Sequence, residues 1–170
     1  MSTGADYRSD EWVIVTRAAD YVGNYIIFAD LGVTSLRREL KGLATAIEGT
    51  EPPADASALV SQIVEQFKHR EAEIHGEEEA RAEAEAADAA LGPDHQAGIL
   101  QQLTLAMDIV RAKGGDAEAA AFGSWLMMLA QATAEAAKEG GVLGIGSVRV
   151  SDKEKAALVE LQAVLGGTAG

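Results

Sequence analysis

Apolar residues recur at steps of three and four along most of this chain, which is the spacing of one face of an α-helix. One such stripe lies in the C-terminal half and consists of Phe122, Trp125, Leu126, Leu129, Ala130, Thr133, Ala136 and Ala137. Another lies near the N-terminus and consists of Trp12, Val15, Ala19, Val22, Ile26 and Ala29. The pattern therefore predicts an all-α protein.

Glycines, prolines and hydroxyl residues divide this apolar pattern into about six helices. They are predicted near residues 9–29, 34–48, 55–90, 93–112, 116–139 and 151–165. Glycine pairs such as Gly114-Gly115 supply the backbone freedom that a helix end requires. Ser151 followed by Glu154 is typical of a capping box at a helix start.

These helices are expected to form a single-domain bundle over residues 9–165, with a glycine-rich apolar loop at 140–150. Residues 1–8 are predicted to be disordered and residues 166–170 flexible, because terminal segments are ordered only when something ties them down. Residues 71–90 are strongly acidic and carry little large apolar surface. We expect them to form either a helix that overhangs the bundle or a partly mobile arm.

The first predicted helix is apolar around most of its circumference, because Tyr21, Tyr25 and Phe28 fall outside the stripe that contains Trp12. A helix of this kind lies either at the centre of a core or in an interface with another protein. Trp12, Tyr21, Tyr25 and Phe28 are therefore a candidate interaction face. A central position in the core of a monomer is an equally open interpretation.

Two pairs of small residues stand one helical turn apart, at Ala19 and Gly23 and at Ala119 and Gly123. Small residues at this spacing allow two helix backbones to approach closely. The sequence therefore predicts a tight helix crossing at each pair.

The run from Ala134 to Gly146 reads Ala-Glu-Ala-Ala-Lys-Glu-Gly-Gly-Val-Leu-Gly-Ile-Gly, with Trp125 before it and Ser151 and Glu154 after it. This stretch resembles the C-terminal part of a group of small, uncharacterised, all-helical bacterial proteins. The resemblance implies a bacterial source and a helical fold. No activity is known for that group, so the resemblance assigns no functional residue.

The 170 residues carry a formal net charge of -13, from 27 acidic and 14 basic side chains. Such a surface repels the phosphates of nucleic acids and anionic lipid headgroups, so neither is an expected partner. The first residues lack the apolar core of a secretory signal, and no stretch is apolar enough to cross a bilayer. A cytoplasmic location is therefore expected.

Four residues are weak candidates for a metal site, namely Glu65, His69, Glu71 and His75. Carboxylate and imidazole groups four residues apart share one helix face and can hold a divalent cation together with a second helix. The two histidines, however, are about 120° apart around a helix, because they are six residues apart. No metal and no other cofactor is predicted.

Catalytic apparatus is not recognisable in this chain, which has no cysteine and no Gly-x-Ser-x-Gly motif. The Gly144-Ile145-Gly146 run lacks the preceding strand and the immediately following helix of a phosphate-binding loop. Met107, Met127 and Met128 are interpreted as core residues.

The leading hypothesis for function is a non-catalytic helical protein that binds a protein partner or itself. The reason is that the helices carry surplus apolar surface, whereas no catalytic group is recognisable. The alternative is a helical bundle that binds a metal or a small ligand.

Overall fold

A computed structural model describes residues 1–29, 36–73, 94–136 and 151–166 of the chain. The helices are α1 at Ser9–Ala29, α2 at Leu36–Gly49, α3 at Ser57–Glu73, α4 at His95–Ala136 and α5 at Asp152–Leu165. Short 3₁₀ turns at Gly4–Asp6 and Ala54–Ala56 precede α1 and α3. Within the described residues there is no strand, and the predicted all-α fold is confirmed.

The number of helices differs from the prediction, because the described part of the chain contains five helices rather than about six. The helices predicted at 93–112 and 116–139 are both part of α4, in which Gly115 alone has a non-helical backbone, with φ 84° and ψ 178°. A single residue therefore separates two helical segments where the sequence predicted a loop and a new start. We call the segments before and after Gly115 the first and second arms of α4.

The two arms of α4 fold back on each other at Gly115. A Cβ atom placed on Gly123 would lie 3.0 Å from Cε of Met107. In a straight helix these two residues would be about 24 Å apart along the axis. The positive φ at Gly115 is a conformation that glycine adopts without steric cost, and it permits this reversal.

The core lies between α1 and the two arms of α4, which share the most extensive contact in the molecule. Its largest fully buried side chains are Trp125, Tyr25, Phe122, Ile26, Ile47, Leu59, Ile63, Ile99, Leu103, Leu126, Leu129 and Leu161. These residues come from all five helices, so one hydrophobic core unites the described residues.

The predicted close crossing is present at Gly123, where a Cβ would overlap the backbone carbonyl oxygen of Leu165 in α5. At Gly23 the neighbouring atoms belong to the side chain of Leu43 in α2, so the contact there is a side chain packed against the glycine. The capping box of α5 is also confirmed, since the Ser151 hydroxyl accepts a hydrogen bond from the Glu154 amide at 3.1 Å. The Ser151 amide in turn donates a hydrogen bond to a carboxylate oxygen of Glu154 at 2.6 Å.

The N-terminal segment differs from the prediction that residues 1–8 are disordered. The Ser2 amide donates to both carboxylate oxygens of Glu118 in α4, at 2.8 Å each. Tyr7 is buried and its ring lies 5.5 Å from that of Trp12. The partner of Ser2 is more than a hundred residues away in sequence, and for that reason local composition does not indicate it.

Three predictions fall wholly or mostly outside the described residues. They are the apolar loop at 140–150, the acidic segment beyond Glu73, and the C-terminal residues after Gly166. None of the helices in the described ranges combines the length and the hydrophobicity needed to span a bilayer.

Candidate functional site

A surface groove lies between the second arm of α4 and the C-terminal end of α5, with a volume of about 310 Å³. It is lined by Ala120, Gly123, Ser124, Met127, Met128, Gln131, Gln162, Leu165 and Gly166. We call this feature the α4–α5 groove.

Two glycine positions shape this groove. Gly123 lets the backbone of α5 come close to α4 at Leu165, and Gly115 turns the second arm so that its buried side packs on the first arm. The opposite side of the second arm then faces outward, with Ala120 and Ser124 exposed one turn apart. The floor of the groove is consequently backbone and short side chains.

An exposed apolar side chain lies in the wall of the groove. Met128 is 41% exposed there. A single exposed apolar residue is common on protein surfaces, so Met128 indicates a binding site only together with the concave shape and the lack of charge.

The groove is uncharged in a chain that is otherwise rich in charge. From Ala119 to Ala134 the sequence contains no acidic and no basic residue, although 24% of the whole chain is charged. The polar groups that line the groove are the Ser124 hydroxyl and the amides of Gln131 and Gln162. Depletion of charge with retention of a few hydrogen-bonding groups is a property of the centre of protein interfaces.

The chemistry of the groove favours binding over catalysis. The Ser124 hydroxyl donates to the Ala120 carbonyl at 2.9 Å, so it is engaged by its own helix. None of the residues lining the groove could serve as a general acid or base near neutral pH. An amide, a thioether and aliphatic groups can hold an apolar surface but cannot activate a nucleophile.

The predicted interaction face on α1 is largely inside the molecule. Tyr21 and Tyr25 are buried, whereas Trp12 and Phe28 are partly exposed. Trp12 contacts the Tyr7 ring, and the Phe28 ring lies 6.2 Å from that of His95. The four side chains are therefore engaged within one chain, which agrees with the alternative interpretation of α1 as a central core helix.

Two tyrosines of α1 lie in the core, and one of them also has a polar partner. Burial raises the pKa of Tyr21. Burial also raises the pKa of Tyr25, and the Glu160 carboxylate of α5, which accepts a hydrogen bond from the Tyr25 hydroxyl, raises it further. Both phenols consequently remain protonated and neutral around neutral pH, and Tyr25 links α1 to α5.

The polar side of α1 contacts α3. Arg70 donates to the Asp20 carboxylate at 2.6 Å, and its guanidinium carbon lies 5.7 Å from the centre of the Phe67 ring. The pair is partly buried, so this contact is a structural link between α1 and α3.

The candidate metal ligands do not form a site within the described residues. Glu65 and His69 are exposed on α3, and Glu65 lies 3.9 Å from the ammonium group of Lys68. The side chain of Glu71 and all of His75 lie outside the described part. Among the described side chains, no group of three or more potential ligands could hold a metal ion.

A buried carboxylate lies at the start of the second arm, where Glu118 is 2% exposed. It accepts hydrogen bonds from the Ser2 amide and, at 3.1 Å, from the Ser2 hydroxyl. Gly114 leaves space for this carboxylate, because a Cβ atom there would overlap it. Glu118 therefore anchors the N-terminal segment and is not accessible to a ligand.

Sequence reasoning did not identify the groove. Met107 is buried as predicted, but the interpretation of Met128 as a core residue is wrong, since it is exposed in the groove wall. The signal that could have indicated it is the uncharged run from Ala119 to Ala134, which extends around the whole circumference of the second arm. A helix that needs only one buried face does not require such a run.

The chain matches no known protein family, and no curated protein or solved structure is significantly similar to it.

Proposed function

We propose that this chain is a non-catalytic helical interaction protein that binds a protein helix in the α4–α5 groove. The observation that carries the proposal is an exposed, uncharged groove with Met128 in its wall, in a chain with a formal net charge of -13. Burying a charged side chain under an apolar partner costs free energy, because the charge loses its water. A neutral concave surface on a strongly acidic protein avoids this cost.

The shape of the groove also suits a helix. Ala120 and Ser124 are exposed one turn apart and carry short side chains, so the surface of α4 is low along this side. Short side chains let a partner backbone approach, and Met128 can adjust its conformation to the partner surface. The Gln131 and Gln162 amides can bond polar groups at the edge of the contact.

The setting of this interaction is also part of the proposal. We place the protein in a bacterial cytoplasm, which the resemblance of the Ala134–Gly146 run supports. The net charge of -13 supports a protein partner over a nucleic acid. No enzymatic activity and no cofactor is proposed.

Site-specific photocrosslinking in the producing cells tests the proposal. Benzoylphenylalanine is placed at position 128 in one variant and at position 105 in a matched control. Leu105 lies in the first arm of α4 and is 43% exposed, against 41% for Met128, so the two probes are equally accessible. We expect irradiation to give covalent protein adducts of discrete mass from position 128 and not from position 105.

Two results would count against the groove as a binding site. One is the absence of any protein adduct from position 128 although the benzophenone group of that variant still reacts on irradiation. The other is the same set of adducts from positions 128 and 105, because that pattern reports random collisions with abundant proteins.

A further inference from the structure

We infer that the peptide bond between Met1 and Ser2 is cleaved in the producing cell, and that the freed α-ammonium group of Ser2 binds the buried Glu118 carboxylate. The contact is then an ion pair in place of an amide hydrogen bond. This inference is independent of the α4–α5 groove. It names a modification site and the side chain that recognises the product.

The Glu118 carboxylate has hydrogen bonds but no cationic side chain beside it. It is 2% exposed, and a buried carboxylate is unfavourable unless an opposite charge or hydrogen bonds compensate it. Among the described residues, no lysine, arginine or histidine side chain forms an ion pair with it, and Lys113 instead pairs with Glu11 at 3.1 Å. The cation that reaches Glu118 is the α-amino group of Met1, which is 3.9 Å from one carboxylate oxygen.

The geometry at Ser2 suits an ammonium group better than an amide. Both carboxylate oxygens of Glu118 lie 2.8 Å from the Ser2 nitrogen. An amide nitrogen has a single hydrogen to share between two oxygens, whereas an ammonium nitrogen has three and can give one to each. It also supplies the opposite charge that a buried carboxylate needs. Cleavage therefore places a cation on an atom that already lies against both oxygens.

The rest of the N-terminal segment holds Ser2 in position without Met1. The Ser2 hydroxyl donates to Glu118 at 3.1 Å and lies 2.6 Å from the Tyr7 hydroxyl. The Gly4 amide donates to the side chain of Gln62 in α3 at 2.5 Å. None of these contacts uses an atom of Met1, so the position of the Ser2 nitrogen does not depend on that residue.

Met1 lies largely outside the fold. It is 73% exposed, and its sulfur accepts a hydrogen bond from the exposed Ser57 hydroxyl at 3.3 Å. Ser2 is 4% exposed, so the bond between the two residues is cut before the segment docks. The small side chain of Ser2 suits this reaction, since aminopeptidases that remove methionine accept a small residue in the next position.

The cleavage is a hydrolysis catalysed by an aminopeptidase of the producing cell. Water adds across the bond between the Met1 carbonyl carbon and the Ser2 nitrogen. Methionine leaves with the new carboxylate, and the Ser2 nitrogen takes up a proton. An α-amino group is mostly protonated at neutral pH, so the product carries the positive charge that Glu118 binds.

The intact mass of the protein tests the cleavage. The untagged chain is isolated from the cells that produce it naturally and is measured by electrospray mass spectrometry. We expect the 17.7 kDa chain to be lighter by one methionine residue, with a free amino group on Ser2. A chain that retains Met1 would overturn the inference. So would an acetyl group on the Ser2 nitrogen, because an acetylated nitrogen carries no charge.

Two forms of the chain that differ only in Met1 test the ion pair. Each is produced behind a leader that a protease removes without a trace, so one form begins at Met1 and the other at Ser2. The form that begins at Ser2 should melt roughly 2–6 °C higher, because its ammonium group bonds to both oxygens of Glu118. Thermal unfolding followed by circular dichroism measures the difference.

The matched variants are Glu118→Gln and Asp116→Asn, each made in both forms. Glu118→Gln should abolish the difference in melting temperature between the forms. Asp116→Asn should preserve it, since the Asp116 side chain is 93% exposed. Equal melting temperatures of the two unsubstituted forms would overturn the inference, and so would a difference that Glu118→Gln leaves unchanged. The comparison of the unsubstituted forms stays decisive if Glu118→Gln does not fold.

Discussion

Glu118 shows how one residue can order a whole segment. Its carboxylate is buried, and a buried charge is unfavourable unless hydrogen bonds compensate it. Here the Ser2 amide and hydroxyl supply those bonds, and the Tyr7 hydroxyl lies 2.6 Å from the Ser2 oxygen. Burial raises the pKa of Tyr7, so the phenol stays neutral in this network. One carboxylate thus connects the N-terminal segment to α4.

Glu118→Gln should destabilise the fold by about 1 to 3 kcal/mol, because the glutamine amide group would face the Ser2 N–H where an oxygen now accepts. Urea unfolding followed by tryptophan fluorescence measures the change. The control is Asp116→Asn, since the Asp116 side chain is 93% exposed in its ion pair with Arg111. Equal stability of the two variants would show that the Ser2 contact contributes little.

The sequence around Glu118 gives no sign of this role. A glutamate between alanines in a helix is expected to face water. Its burial depends on the N-terminal segment, which lies more than a hundred residues away in the sequence.

The packing of α5 on α4 depends on close contact between the two helix backbones. The carbonyl of Leu165 occupies the space that a side chain on Gly123 would need. Because that atom belongs to the backbone of a helix, it cannot move aside without shifting α5. The same crossing forms one wall of the α4–α5 groove.

Gly123→Ala should lower the free energy of unfolding by about 1 to 3 kcal/mol, which is typical of overpacking at a tight site. Thermal denaturation provides the measurement. Gly49→Ala is the matched control, since no atom lies within 4 Å of a Cβ placed there. That control should be neutral or more stable by up to about 1 kcal/mol. A Gly123 variant as stable as the Gly49 variant would contradict the close crossing.

The molecule as a whole combines a large negative charge with an uncharged groove between the described parts of α4 and α5. The charge repels an acidic partner at long range, whereas the proposed contact in the groove involves no charged side chain. Ionic strength changes the first of these effects and leaves the second nearly unchanged, because salt screens exposed charges.

Adducts from benzoylphenylalanine at position 128, formed in cell lysate, should therefore persist or increase as sodium chloride rises from about 0.05 to about 0.5 M. Densitometry of the adduct bands on a denaturing gel measures the change. A contact made of ion pairs would respond in the opposite direction, so loss of the adducts at high salt would refute an uncharged contact.

Local features of the sequence determined much of this structure. The spacing of apolar residues predicted helices close to α1, α2 and α5, and the cap at Ser151 and the crossing at Gly123 are present as expected. Each of these depends on residues within a few positions of one another or on the size of one side chain. The error in helix number arose at Gly115, where one residue suffices to reverse the chain.

Only the tertiary structure decided which apolar faces are covered. The pattern on α1 allowed either a core or an interface, and packing against α4 buried Tyr21 and Tyr25. The pattern on the second arm suggested a core position for Met128, yet no described element covers it. The spacing of apolar residues indicates that a helix face is apolar, but the element that covers this face comes from elsewhere in the chain. The fold class was therefore readable in the sequence, whereas the location of the exposed groove was not.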